Sequence, residues 1–218
     1  MNTGRVLLGV AGLLVAGQLG ATEALRLTAY ERSQGWSYLF DGQSLSDWRG
    51  YRQNKVPPNW QVVEGSLTSG GGTALVSEQN FKDFELVFDW KVSAGGSAEV
   101  YFHVNEDGLA PGDSGPVMQL AGDGVKMAGN GGLTDPMRDI TLQPDVWYRG
   151  KIVAFGNQVE HWISGDEVLR YLVDSPDWRA AVAGSSFRVF KEYGLAREGR
   201  IVLAGKSVIF RNIKIRAL

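Results

Sequence analysis

The stretch from Asp83 to Val104 constrains the fold most, because apolar residues recur at every second position on both sides of a pair of glycines. Side chains along a β-strand point alternately to the two faces of a sheet. The apolar residues predicted to share one face are Phe84, Leu86, Phe88, Trp90 and Val92 before the glycines, and Ala98, Val100, Phe102 and Val104 after them. We therefore predict two strands, 84–92 and 98–104, joined by a turn at 93–96 and buried on one face.

The opposite face of the same two strands carries ionisable and aromatic side chains. These are Glu85, Asp89 and Lys91 on the first strand, and Glu99, Tyr101 and His103 on the second. If the turn is tight, Lys91 lies across from Glu99, and Asp89 lies across from Tyr101. We predict that this polar face carries the function.

The remaining segments predict an all-β chain. About eleven short strands, one short helix at 177–183 and no strand–helix–strand spacing favour a two-sheet antiparallel β-sandwich as a single domain over residues 22–218. Residues 22–35 are interpreted as a polar lead-in, and the last two strands are predicted at 200–204 and 208–215. Residues 105–145 hold eight glycines and one predicted strand, 116–121. We expect loops that border the polar face, the alternative being a mobile surface insertion.

Residues 1–21 have the pattern of a secretory signal peptide. Arg5 is the only charged residue before Glu23, an apolar run extends from Val6 to Ala16, and small residues at 19–21 are suited to cleavage. We expect a periplasmic or secreted protein, without a membrane attachment after cleavage. The alternative is an uncleaved N-terminal anchor. Loss of Arg5 would change the formal net charge from −2 to −3.

Composition excludes several classes of site. With no Cys and two His in 218 residues, a zinc site of Cys and His ligands is excluded, and a metal would need mostly carboxylate ligands. No basic patch is present, so nucleic acid is a poor candidate partner. We predict no cofactor and no metal site. The oligomeric state stays open.

Several motifs occur in an order that resembles the 3-keto-disaccharide hydrolase family. They are Leu39–Trp48 (LFDGQSLSDW), Phe81–Trp90 with the glycine pair that follows, Trp147–Gly165 with its GNQVEHW core, and the ending FRNIKI at 210–215. The resemblance covers about residues 38–218. It implies a concanavalin A-like sandwich that binds a sugar on its concave face, and hydrolysis of oxidised disaccharides as the family activity.

The chain departs from the family pattern on the polar side of the sheet. The family usually has Gly-Asn-Ser-Gly at 96–99, where this chain has Glu99, and an Arg at the position of His103. In the usual Gly-Pro-Glu-Met-Gln motif at 115–119, Val117 replaces the carboxylate while Gln119 is kept. The family's Gln-Asp-His-Gly near the end is reduced to 204–206.

Candidate catalytic groups are Glu99, Asp89 and His103. Hydrolysis of a sugar linkage usually needs two carboxyl groups, and Glu99 and Asp89 are the best-placed pair on the predicted face. The alternative is a solvated ion pair of Glu99 with Lys91. His103 could exchange protons near neutral pH, or be a surface residue.

Candidate substrate-binding groups are Tyr101, Gln119 and Lys91, through ring stacking and hydrogen bonds. His161 and Trp162 are interpreted as structural. The leading hypothesis is an exported hydrolase that acts on a glycosidic linkage of a 3-keto sugar. The alternatives are a glycan-binding module that has lost the catalytic groups, and a protein-interaction domain.

Overall fold

The computed structural model describes residues 26–122, 124 and 126–218, so the predicted signal peptide lies outside the described residues. The strands in chain order are β1 (Ser37–Phe40), β2 (Trp48–Gly50), β3 (Trp60–Val63), β4 (Ser66–Ser69), β5 (Leu75–Phe81), β6 (Phe84–Val104), β7 (Val117–Ala121), β8 (Tyr148–Phe155), β9 (Gln158–Ile163), β10 (Asp166–Leu172) and β11 (Gly199–Ala217). The helices are α1 (Ala29–Ser33) and α2 (Pro176–Ala183), with 3-10 turns at Pro111–Asp113 and Ser186–Val189. No helix in the described part of the chain is both long enough and apolar enough to cross a membrane.

All strand pairs are antiparallel, which confirms the predicted all-β class, but the predicted turn at 93–96 is wrong. β6 is one strand of 21 residues, and it pairs along its whole length with β11. The pairing runs from Phe84 opposite Ala217 to Val104 opposite Arg200. Because β11 supplies partners on both sides of the glycines, 84–92 and 98–104 do not pair with each other. The two final strands predicted at 200–204 and 208–215 are likewise one strand.

β6 and β11 bend together, and the bend divides the sheet into two layers. Phe84 and Phe102 stand 18 positions apart on β6, which in a straight strand would separate them by about 60 Å, yet their ring centroids are 6.1 Å apart. Strand 84–92 with 208–217 joins β10, β9, β8, β4, β3 and β1 in what we call the back layer. Strand 97–104 with 199–205 joins β7, β5 and β2 in the front layer. This arrangement is consistent with the predicted sandwich.

Glycines make the bend possible. We call residues 93–97 of β6 and 205–207 of β11 the corner; there the register between the two strands shifts. A Cβ on Gly205 would lie 2.2 Å from the carbonyl oxygen of Ser97, and a Cβ on Gly96 would lie 2.7 Å from that of Lys206. Only glycine permits this approach of the two backbones. Bends and bulges of this kind are how strands pass from one layer to the next.

The predicted buried face is confirmed except at its two ends next to the corner and at His103, where Val92 is only partly buried and Val104 changes sides. The alternating apolar residues of 84–90 and 98–102 are fully buried in one core between the layers. Val104 is buried too, but it belongs to a second cluster with Tyr51, Val76 and Val202 on the other side of the front layer. The reason is a bulge at His103, whose φ of 50° lies in the left-handed region and reverses the alternation.

The polar lead-in differs from expectation, whereas the predicted short helix is confirmed. The polar lead-in contains helix α1, which begins at a capping box between Thr28 and Glu31. Lys214 of the back layer holds this helix through an ion pair with Glu31 at 2.5 Å. The predicted helix at 177–183 is present as α2, with Ser175 as its N-cap and Pro176 at its first position.

His161 lies at the centre of an aromatic column that starts in the core. Its ring meets Phe102 and Tyr171 edge to face, at centroid distances of 6.3 Å and 5.6 Å. The side chain is fully buried, and its Nδ1 lies 2.7 Å from the carbonyl oxygen of Ala128, to which it donates. Burial lowers the pKa of His161 to about 4, because the charged form has lost its hydration. The ring is a structural element, as its position in the sequence indicated.

The corner glycine gives the first prediction. Gly205→Ala should lower the free energy of unfolding by on the order of 2–3 kcal/mol, because a Cβ collides with the Ser97 carbonyl and φ is 148°. Gly70→Ala is the matched control, since nothing lies within 4 Å of its added Cβ, and it should change stability by less than about 0.5 kcal/mol. Urea unfolding measures both. Equal effects of the two substitutions would contradict the proposed role of the corner.

The buried histidine gives the second prediction. Between pH 6.5 and pH 4 the unfolded chain binds a proton at His161 that the folded chain does not, so stability should fall as the pH falls. From pH 7.5 to 4.5 the loss from His161 should be roughly 2–3 kcal/mol. His103 adds a loss of the same sign, because burial lowers its pKa too. His161→Gln keeps an amide donor for Ala128 but cannot titrate, so its unfolding free energy should vary less with pH. An unchanged pH dependence in this variant would contradict the assignment.

Candidate functional site

Three of the predicted site residues come together on the outer face of the front layer. Glu99 on β6 lies directly opposite Gln119 on β7, and Tyr101 lies opposite Val117. These side chains point away from the main core because their neighbours on β6, Ala98 and Val100, fill it. The register of β6 and β7 therefore places a carboxylate, a phenol and an amide side by side.

The carboxylate and the phenol are hydrogen-bonded to each other. The Tyr101 hydroxyl donates to Oε2 of Glu99 at 2.9 Å. Burial raises the pKa of Tyr101 far above its usual value, and the negative charge of Glu99 raises it further. Tyr101 thus keeps its proton at all physiological pH values and acts as a donor. Glu99 is partly exposed.

The loop that follows β6 covers this face. Gly112 packs on the ring of Tyr101, where a Cβ would lie 3.3 Å from Cε1. The loop has a fixed shape: Asp113 Oδ2 accepts the backbone N–H groups of Leu109 and Ala110 at 2.7 Å and 2.9 Å. The Tyr51 hydroxyl lies 3.1–3.4 Å from three carbonyl oxygens of the loop. Residues 105–115 therefore border the polar face, as predicted for the glycine-rich region.

A group of ion pairs fixes the start of this loop to the front layer. Arg49 binds both carboxylate oxygens of Glu106, with an Nη1–Oε1 distance of 2.8 Å. Arg200 Nε lies 3.4 Å from the same carboxylate, and the backbone N–H of Arg52 donates to it at 2.6 Å. The hydrogen bond from Arg49 is the largest of the effects that lower the pKa of Glu106. Glu106 is therefore engaged by the protein itself and serves to hold the loop.

Val117, where the resemblance predicts a carboxylate, is packed. It is 4% exposed, and its Cγ1 lies 3.5 Å from the position of a Cβ on Gly131. The same Cβ would lie 3.1 Å from Cζ of Phe187. Val117, Gly131 and Phe187 thus meet at one point, and the space next to Tyr101 is apolar. A carboxylate at 117 would have to be buried there, which is costly for a charged group unless it is paired.

Aromatic residues after α2 form a wall that the sequence analysis missed. Phe187 stacks on Tyr193 at 4.2 Å, and Tyr193 stacks on Trp178 at 5.9 Å. The backbone N–H of Gly194 donates to the Ser114 carbonyl at 2.8 Å, which joins this segment to the loop over Tyr101. The segment 184–198 has no alternating pattern, and the spacing of its aromatic residues gave no signal of these contacts.

Asp89 and Lys91 do not lie on this face. The prediction that Asp89 and Glu99 form a pair of neighbouring carboxyl groups is therefore wrong. Asp89 and Lys91 lie on the back layer, ten positions or fewer from Glu99 but on the far side of the core. The bend turns the outer faces of 84–92 and 97–104 in opposite directions. Asp89 is 6% exposed and binds Arg149 and Asn212. Lys91 neighbours Trp147 instead of Glu99, with Nζ 5.2 Å from the ring centroid.

His103 is also displaced from the polar face. Its bulge turns the ring toward Phe84, at a centroid distance of 5.6 Å, and Nε2 lies 2.7 Å from the Lys82 carbonyl oxygen. The side chain is 7% exposed. Burial lowers its pKa, so His103 is neutral near pH 7. The strand periodicity could not predict this, because a bulge shifts the alternation.

The described residues contain no group of three or more His, Asp or Glu side chains arranged to hold a metal ion. The front-layer site consists of Glu99, Tyr101 and Gln119, covered by the loop 105–115 and bordered by Val117 and Phe187. It offers one partly exposed carboxylate that accepts a hydrogen bond from Tyr101 and lies across the strands from the amide of Gln119. Such a site can accept a proton from a bound ligand and hold its oxygen atoms.

Solved structures share this architecture. A Parabacteroides distasonis ATCC 8503 protein assigned as a glycosyl hydrolase superimposes with a TM-score of 0.83 at 26% identity, over 90% of this chain and all of that one. A prokaryotic beta-1,3-1,4-glucanase (lichenase) derived from a mouse hindgut metagenome superimposes with a TM-score of 0.52 at 9% identity, over 84% of this chain and 99% of that one. The second likeness concerns the fold alone.

Sequence comparison identifies the family. A 3-keto-disaccharide hydrolase of Bacteroides thetaiotaomicron is 27% identical in an alignment 231 residues long, which covers 85% of this chain and 79% of that protein. The family model of the 3-keto-alpha-glucoside-1,2-lyase-like domain matches residues 35–216. The chain therefore belongs to the family of 3-keto-alpha-glucoside-1,2-lyase-like domains.

Proposed function

We propose that the protein hydrolyses the glycosidic bond of a 3-keto disaccharide at the front-layer site. The observation that carries this proposal is the hydrogen bond between Tyr101 and Glu99, directly across from Gln119, in a chain of this family. The loop 105–115 packs on the ring of Tyr101 at Gly112 and so borders the surface on which a sugar ring would lie. The fold family makes a sugar the expected ligand, and the side chains present suit its hydroxyl and carbonyl groups.

The chemistry of a 3-keto sugar explains how one carboxylate is sufficient. Ordinary glycosidases use two carboxyl groups, one as acid and one as base or nucleophile. A carbonyl at C3 makes the proton at C2 acidic, so a single base can remove it. The electrons of the C2–H bond then form a C1–C2 double bond as the bond from C1 to the glycosidic oxygen breaks, and the carboxylic acid returns the proton it took from C2 to that oxygen. Addition of water across that bond completes a net hydrolysis.

Each residue of the site has a role in this sequence. Glu99 is the base that takes the C2 proton, since it is the accessible carboxylate of the site. The amide N–H groups of Gln119 are suited to the C3 oxygen, on which negative charge develops. Tyr101 holds Glu99 in position, and its raised pKa keeps it a hydrogen-bond donor throughout. His103, Asp89 and Lys91 have no part in the proposed mechanism, because the fold directs them elsewhere.

A specific observation favours a second function, a non-catalytic glycan-binding module. Val117 and Phe187 fill the place where the resemblance predicts a carboxylate. If that carboxylate is indispensable to the reaction, the same face would retain only shape and hydrogen bonds. Binding without turnover would then be the result for every 3-keto and ordinary disaccharide.

Glu99→Gln tests the leading proposal. The variant should lower kcat on a 3-keto disaccharide by about 10²–10⁴, with KM within a few-fold, because a base acts in the transition state and adds little to binding. Wild-type enzyme in D₂O should place deuterium at C2 of unreacted substrate or product, and the variant should not. Gln119→Ala should weaken binding and lower kcat together. Mass spectrometry measures turnover and deuterium incorporation, and calorimetry measures binding.

Asp89→Asn is the matched control for Glu99→Gln. It removes one carboxylate from the same strand, but on the back layer, so kcat should stay within about twofold of wild type. Thermal stability should fall, because Arg149 and Asn212 lose a nearly buried charged partner. A drop in kcat that is equal for the two variants would refute the front-layer site. Binding of 3-keto sugars without turnover by the wild type would favour the binding module.

We further propose that the protein acts in the periplasm or outside the cell. The support is the pattern of residues 1–21, with Arg5 followed by an apolar run and small residues before Thr22. N-terminal sequencing of the protein from the periplasm and medium of the native cells should begin at about residue 22. A start at Met1 in a cytoplasmic fraction would contradict this.

A further inference from the structure

The outer face of the back layer holds a cleft that the proposed reaction does not use. Its volume is about 490 Å³, and its lining includes Asp89, Trp147, Arg149, Ser164 and Arg211. Asp89 stands at its centre, opposite Arg149 on β8 and opposite Arg211 on β11. The cleft lies on the other side of the core from Glu99. It therefore forms a site of its own.

A β-bulge in β11 brings two adjacent side chains to the outer face; Arg211 lines the cleft, and Asn212 binds Asp89. The register of β11 against β6 shifts between Arg211 and Lys214, and Asn212 has a φ of 51°. Asn tolerates this left-handed conformation better than most residues. Both Arg211 and Asn212 thereby lie on the outer face, while Ile213 is fully buried. Bulges commonly serve to redirect a side chain at a functional position.

Two neighbours already donate hydrogen bonds to the two oxygens of the Asp89 carboxylate. Arg149 Nε donates to Oδ1 at 2.8 Å, and Asn212 Nδ2 donates to Oδ2 at 2.6 Å. Arg149 Nη2 is a further donor at 3.4 Å. Arg211 pairs with this carboxylate only at long range, with a buried Nε 3.7 Å from Oδ2, and its guanidinium makes no hydrogen bond to any described residue, so the outer Nη groups remain for a ligand.

Arg211 is held in place by stacking instead. Its guanidinium lies 3.8 Å from the centroid of the Trp147 ring, and Lys91 Nζ lies 5.2 Å from the same centroid. A guanidinium fixed over an aromatic ring loses little entropy when it binds a planar or tetrahedral anion through two N–H groups. A preorganised cation with unused donors at the edge of an open cleft is a receptor for an anion.

The charges of the cleft favour the same ligand. The lining carries two positive charges, on Arg149 and Arg211, against the single negative charge of Asp89, and Lys91 lies near Trp147 at its border. The formal charge of the whole chain is −2, so this positively charged surface is opposite in sign to the chain as a whole. The hydroxyl group of Ser164 in the lining is suited to a hydroxyl group of a ligand. An acidic sugar combines the anion and the hydroxyls in one molecule.

We propose that this cleft is a second binding site, which takes the carboxylate or sulfate group of an acidic saccharide through Arg211. The saccharide's anion pairs with the free N–H edge of the guanidinium, with Lys91 adding long-range attraction. The site would hold the protein on an acidic glycan while the front layer remains free. This proposal does not depend on the front-layer reaction, because binding is measured without turnover.

Calorimetric titration with trigalacturonate, its methyl ester, a sulfated disaccharide and inorganic sulfate tests the proposal. Trigalacturonate or the sulfated disaccharide should bind, and the affinity should fall with added salt. The methyl ester, which lacks the charge, should bind at least tenfold more weakly than trigalacturonate. A carboxylate source and a sulfate source are distinguished by which of the two saccharides binds more tightly. Inorganic sulfate alone should bind more weakly than either.

Variants distinguish a specific role of Arg211 from the effect of the surface's overall positive charge. Arg211→Gln should weaken binding at least tenfold, and Arg211→Lys should give an intermediate loss, since it keeps the charge but not the planar donors. Arg216→Gln is the matched control: it removes a guanidinium from the same strand and face, but one that already donates to Glu85 at 2.9 Å and 2.6 Å. Its affinity should stay within about twofold of wild type. Circular dichroism checks that each variant is folded.

Three results would overturn the proposal. One is that neither acidic saccharide binds with a Kd below about 10 mM. Another is an equal loss for Arg216→Gln and Arg211→Gln, which would mean diffuse surface charge. The third is equal affinity for inorganic sulfate and the saccharides, which would mean a bare anion site. Deuterium exchange at C2 in the front-layer assay stays unaffected by Arg211→Gln in every case, so the two proposals fail independently.

Discussion

The antiparallel pairing of β6 with β11 is the interaction on which the rest of the structure depends. These two strands are paired from Phe84 to Val104, and they are the only described strands that contribute to both layers. Every other strand extends one layer or the other from their edges. The corner glycines allow the pair to bend without losing its partner. Bending folds one apolar face onto itself and so creates the core between the layers.

The same bend decides which polar groups can act together. Residues that alternate on one face of a straight strand end up pointing away from each other once the strand is folded. Glu99 faces the loop 105–115, and Asp89 faces the cleft of the back layer. One strand thereby supplies a carboxylate to each of two surfaces. Their surroundings differ. Glu99 is partly exposed and accepts a hydrogen bond from Tyr101, whereas Asp89 is nearly buried and accepts hydrogen bonds from Arg149 and Asn212.

The front-layer site is built by segments that are rigid for identifiable reasons. The loop over Tyr101 is held by Tyr51, Asp113 and the Arg49–Glu106 ion pair, so the site is shaped before a ligand arrives. Preorganisation of this kind reduces the entropy that binding costs. The packing of Phe187 near Val117 replaces a polar position of the family by an apolar wall. A reaction that needs one base and a polarised carbonyl is compatible with that change.

The sequence by itself determined the strand class and the buried face of β6, and it named Glu99, Tyr101 and Gln119 as candidate groups together with three residues that the fold places elsewhere. Alternation of apolar and polar residues is a local property, and it specifies which side of a strand is buried whatever the partner. Motif order was equally sufficient for the family. Neither depends on how distant segments meet.

The tertiary structure alone decided which strands pair and which side chains share a surface. The glycines at the corner are compatible with a hairpin turn or with a bend, and only the presence of β11 along the full length of β6 selects the bend. The bulges at His103 and Asn212 shift the alternation by one residue, and no local pattern marks them. Partner choice is a property of the whole sheet. The separation of Asp89 from Glu99 therefore follows from long-range pairing, which the residues around each of them do not encode.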